Sequence, residues 1–166
     1  MRLKILATLL NIIRHEDTKY KVGKIDNTKF IYQAVTGDKL KNNNVLIAGS
    51  AIYKVVGHIE AKVIVFDEHF NKFDNNCKKF IIYHELGHLD NHFTDEILAS
   101  YFDMDYYDRL KLEHEADMNG VKNTSVEACI KTLDKIKEIL DELGYVDHTI
   151  TDRKLLLKAR SMKIEE

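Results

Sequence analysis

The chain changes character near residue 70, and that change limits what it can fold into more than any other feature. Before it, hydrophobic residues come in short β-branched and aromatic runs split by turn residues. After it, they recur at helical spacing over long stretches. Residues 20–25 (YKVGKI) and 29–35 (KFIYQAV) read as a hairpin turning at Asp26-Asn27. Residues 36–44 form a loop rich in Gly, Asp and Asn, and residues 45–56 and 61–66 are further strands with a turn at Gly57-His58. Asp74 caps a helix running to about Asn91, Thr94 caps the next, and a third covers residues 109–122. Ser125 opens a fourth helix, which ends at Gly144, and residues 152–164 make a fifth. The expectation is an α+β protein, with a small, mostly antiparallel N-terminal sheet followed by a helical half. One domain over 1–166 is expected, sheet-rich over 20–66 and helical over 74–164.

The N-terminus MRLKILATLLNIIRHED has basic residues ahead of an apolar run, as a signal peptide does, but Asn11 breaks the run and no small-residue cleavage site follows. Leu3, Leu6, Leu10 and Ile13 recur at helical spacing, so this is read as an amphipathic first helix. Elsewhere the chain lacks the roughly twenty unbroken apolar residues that a membrane span needs. The net charge of -2 offers no basic footprint for nucleic acid. Two cysteines, Cys77 and Cys129, without a repeated spacing, fit a reducing, cytoplasmic setting better than a disulfide framework.

Residues 80–93, FIIYHELGHLDNHF, hold three histidines and a glutamate in one apolar, helix-like run. His84-Glu85-Leu86-Gly87-His88 is H-E-x-x-H. On a helix, residues four apart share a face, so both imidazoles can meet one cation. Glu85 is turned about 100° from His84. It stands badly for ligation but well for holding a water. Zinc lowers the pKa of a water it binds to about 7, and Glu85 can then take the proton. Two solvated histidines are the alternative, but two unpaired imidazoles in an apolar helix carry a desolvation cost.

A catalytic zinc needs a third protein ligand. The segment EHEADMNG supplies Glu113, His114, Glu115 and Asp117. Glu115 can be that ligand, and Asp117 can accept a hydrogen bond from the far nitrogen of a ligand histidine, fixing its tautomer. A solvated acidic face is the other reading of these carboxylates.

These motifs resemble those of the gluzincin metallopeptidases, in which H-E-x-x-H precedes a helix bearing E-A-D or E-A-N. The chain looks most like the group of prenyl-protein endopeptidases and membrane heat-shock proteases, and like ImmA/IrrE-type proteases. The resemblance implies that His84, His88 and Glu115 bind Zn2+, that Glu85 is the catalytic base and that Asp117 supports a ligand. NVLIAG (residues 44–49) is similar to a segment preceding the active-site strand of the first group. That strand would be Lys62, Val63, Ile64, Val65 and Phe66, pairing at a sheet edge with an extended substrate. DHTITDRKLLL is similar to a T-H-P…R-I segment, without its proline. By that likeness His148 and Arg153 face the site, either as an added zinc ligand or as oxyanion stabilisers. The spacing from His88 to Glu115 is nearer the ImmA/IrrE type, as is His92, which can be a fourth ligand or a residue of the helix end.

The leading expectation is a zinc endopeptidase acting on a peptide or protein substrate through a zinc-bound water activated by Glu85. The alternative is a zinc-binding regulatory or protein-interaction module with the same fold and no general protease activity. Tyr106 and Tyr107 can donate to a tetrahedral intermediate or serve packing.

Overall fold

The computed structural model describes residues 2–14, 19–36, 47–57, 59–91 and 104–162. The chain forms two compact units, Met1–Lys72 and Phe73–Glu166, divided where the sequence pattern switches. The result is an α+β protein.

In the first unit, helix α1 (Arg2–Arg14) buries Leu6, Ala7 and Leu10. They meet Tyr20, Ile31, Val55, Ala61 and Val63 of the sheet, with Leu3 partly buried beside them. The expected stripe holds at Leu3, Leu6 and Leu10, whereas Ile13 stays 47% exposed. Asn11, which interrupts the apolar run, has a structural role. Its side chain accepts from the Tyr20 N–H at 2.7 Å and donates to the Tyr20 carbonyl at 3.0 Å, tying α1 to the first strand.

The sheet contains β1 (Tyr20–Ile25), β2 (Thr28–Ala34), β3 (Ala48–Val56) and β4 (Ile59–Phe66), in the order β1-β2-β4-β3. Asp26 turns the first hairpin at φ 48°, a left-handed value that Asp tolerates better than most residues. The β1–β2 and β3–β4 pairs are antiparallel and β2–β4 is parallel, so the sheet is mixed. Val63 and Ile64, on opposite faces of β4, are both fully buried.

This order corrects one expectation. Lys62, Val63, Ile64, Val65 and Phe66 do not form an edge. Lys62 to Phe66 pair with β3, and Val63 to Phe66 also pair with β2. A strand whose two edges are already hydrogen bonded has no row of backbone groups to offer a substrate.

In the second unit, α2 (Asn75–Asn91) starts where Asp74 accepts from the Cys77 N–H at 2.9 Å. Helix α3 (Tyr106–Asn123) is capped by Asp105, and α4 (Val126–Glu142) by Ser125. Beyond α4 the chain turns at Gly144 with φ 77°, a conformation glycine adopts without strain. Helix α5 (Thr149–Met162) begins three residues before the expected Asp152, because Asp147 takes both the N–H and the hydroxyl of Thr149 at 2.8 Å. The helix expected from Thr94 and residues 37–44 of the expected loop lie outside the described residues.

Helices α2 and α3 approach closely at two glycines. A Cβ at Gly87 would stand 2.9 Å from Asn119 Cβ and 3.3 Å from the Ala116 backbone, and one at Gly120 would stand 2.4 Å from the Phe80 ring. Asn119 also donates to the Tyr83 carbonyl at 2.6 Å. Close backbones let short carboxylates on α3 reach the histidines on α2. No described helix is long and apolar enough to cross a membrane.

Candidate metal centre

His84 and His88 lie one helical turn apart on α2, both buried, with their Nε2 atoms 3.1 Å from each other. Glu113 of α3 completes the group: Oε2 is 3.4 Å from His84 Nε2 and Oε1 is 3.5 Å from His88 Nε2. One ligand atom from each of the three residues falls within 4.8 Å of the other two. Donors about 2.0–2.2 Å from a tetrahedral zinc stand roughly 3.3–3.6 Å apart, close to the separations found here. Two imidazole nitrogens and one carboxylate are also a donor set that zinc accepts.

The third carboxylate is therefore Glu113 and not Glu115, which is exposed on another face of α3. The reason is helical periodicity. Asp117 is fully buried and accepts from His84 Nδ1 at 2.9 Å, and the residue sharing its face one turn earlier is Glu113. Glu115, two positions away, points elsewhere. The spacing between the two carboxylates carried the signal that could have found this ligand. With Nδ1 engaged by Asp117, His84 turns Nε2 toward His88 and Glu113, the arrangement that orienting carboxylates produce in metal sites.

Arg153 comes from α5 and is 6% exposed. Its Nε donates to Asp117 Oδ2 at 2.8 Å, one terminal nitrogen to Asp117 Oδ1 at 2.6 Å, and the other lies 3.0 Å from Glu113 Oε2. All three nitrogens are thus turned to carboxylates of α3. His148 is exposed. It lines a hollow of about 170 Å³ with Lys137 and Asp141, and is not among the converging ligands. Tyr106 donates to Asp152 at 2.6 Å, a bond that pushes its hydroxyl up to about 12, so it is committed to pinning α5. Tyr107 is 78% exposed. His92 lies outside the described residues.

Electrostatics follow from this packing. Burial alone would raise the Glu113 carboxyl, but the Arg153 charge and then the bonds to His84 and His88 hold it well below the usual range. Burial would likewise raise Asp117, and Arg153 again outweighs it. For His84 burial pulls downward, yet hydrogen bonds to Asp117 and Glu113 push it up to about 10. Glu85, the next residue, is buried as well. Both cysteines are buried free thiols, and burial raises each above its ordinary range. They are poor nucleophiles.

The chain matches no known protein-family model, no curated protein and no solved structure.

Proposed function

We propose that this chain is a zinc-dependent endopeptidase of the gluzincin type, with His84, His88 and Glu113 as metal ligands and Glu85 as general base. The observation that carries the reading is the convergence of one atom each from His84, His88 and Glu113, with the residue after His84 in the chain a buried glutamate. A purely structural site has no use for that glutamate. Bound zinc would supply a Lewis acid for a substrate carbonyl and lower the pKa of a nearby water. Glu85 would then take a proton from the attacking water on its carboxylate and pass it to the leaving amine. Asp117 holds His84 in one tautomer throughout, so the ligand does not rotate as charge develops.

The test is Glu85→Gln. Loss of this base should lower cleavage of a peptide library by about 10²–10⁴-fold with zinc content unchanged. A substitution that leaves cleavage intact would remove Glu85 from the mechanism. A partner protein bound equally by both forms and never cut would instead favour a zinc-binding interaction module.

A further inference from the structure

Three helices meet at the metal centre, and the third contributes no ligand. Helix α5 carries Arg153 between Ile150 and Leu157, which are 2% and 1% exposed. Residues three and four apart on a helix share a face, so the apolar side that docks α5 also delivers the guanidinium. The start of the same helix is pinned by the Tyr106–Asp152 hydrogen bond.

The guanidinium meets two carboxylates from one face of α3. It contacts both oxygens of Asp117 and only Oε2 of Glu113. Two carboxylates one turn apart, Asp117 buried and Glu113 partly buried, repel each other, and without a partner each could rotate about its last torsion. A planar fork with donors in fixed directions removes that freedom in a way a point charge cannot.

We infer that Arg153 is a positioning residue of the metal centre. It holds Oε2 of Glu113 so that Oε1, the oxygen nearer His88, faces the cation, and it holds Asp117 so that His84 stays aimed at the same point. This rests on the metal-centre reading above and assigns Arg153 no contact with substrate. A whole buried ion pair can often be replaced by apolar packing without loss of stability, although removing one partner alone leaves a charge uncompensated. What an apolar residue cannot replace is the fixed direction of a ligand oxygen.

The experiment titrates the wild-type chain, Arg153→Lys and Arg153→Met with zinc against a competing chelator. It also records the visible spectrum of each with cobalt(II), whose d–d bands report coordination number and geometry. Helical circular dichroism monitors the fold. In both variants zinc should bind about 10–100-fold more weakly, the loss typical of outer-shell partners. The cobalt bands should weaken and shift as Glu113 loosens, and Lys should recover part of what Met loses. Unchanged affinity and spectrum in a folded Arg153→Met overturns the inference. So does loss of the fold in both variants, since the guanidinium would then serve the scaffold. A wild-type chain that takes up neither metal overturns the metal-centre reading itself, and this inference with it.

Discussion

At His84 a bound metal would have to compete with a proton. The His84 folded-state pKa of about 10 lies above the ordinary value of 6.5, because Asp117 and Glu113 outweigh the cost of burial. In the metal-free protein the protonated ring therefore contributes stability that is fully present below pH 6.5 and lost as pH rises through about 10. A histidine must be neutral to bind a metal, so binding has to expel that proton. Zinc affinity should then rise with pH across the same window. Calorimetry at neutral pH in buffers of different ionisation enthalpy should show about one proton released per metal bound. No proton release would mean that His84 is already neutral before the metal arrives, its one proton on Nδ1 toward Asp117. At this scale the sequence was readable where chemistry and spacing agreed, as at His84, His88 and Asp117, which come together. It misled at Glu115, because matching the letters E-A-D ignored which face of the helix Asp117 occupies. It also could not tell that the three nitrogens of Arg153 would be taken up by neighbouring carboxylates, since that depends on a helix 36 residues further along.

Among the elements, the α2–α3 pair sets how near the ligands come. Gly87 sits inside the H-E-x-x-H helix at a point where any Cβ meets Asn119 and the Ala116 backbone. Gly87→Ala would gain about 1 kcal/mol of helix propensity, but overpacking a close contact costs roughly 1–3 kcal/mol. The backbone contact cannot swing away, so the cost wins. The variant should unfold at lower denaturant than the wild type and bind zinc more weakly, measured by urea titration and chelator competition. A more stable variant with unchanged zinc affinity would show that the helices have room to spare. Local signals such as Asp74, Ser125 and Gly144 marked helix limits well, because capping is decided within a few residues. The start of α5 was missed because Asp147 capping reaches back beyond the apolar periodicity used to find it.

Taken whole, the molecule follows its sequence most closely in its division. The switch from strand to helix patterns near residue 70 coincides with the limit between the two compact units at Lys72 and Phe73. The pairing of β2 with β4 was not legible, because a parallel partner comes from outside the hairpins and leaves no mark in either strand. That pairing covers the second edge of residues 63–66, whose first edge is paired with β3, and removes them as a substrate strand. The ligand set belongs entirely to the helical unit, with two residues from α2 and one from α3. The central claim is that these three residues hold one zinc per chain. It is tested most directly by the zinc content of protein purified without an affinity metal, comparing wild type, Glu113→Ala and Glu115→Ala. One zinc per chain in the wild type and Glu115→Ala, and far less in Glu113→Ala, is the predicted result. Zinc kept by Glu113→Ala, or no zinc in the wild type even after reconstitution, would contradict it.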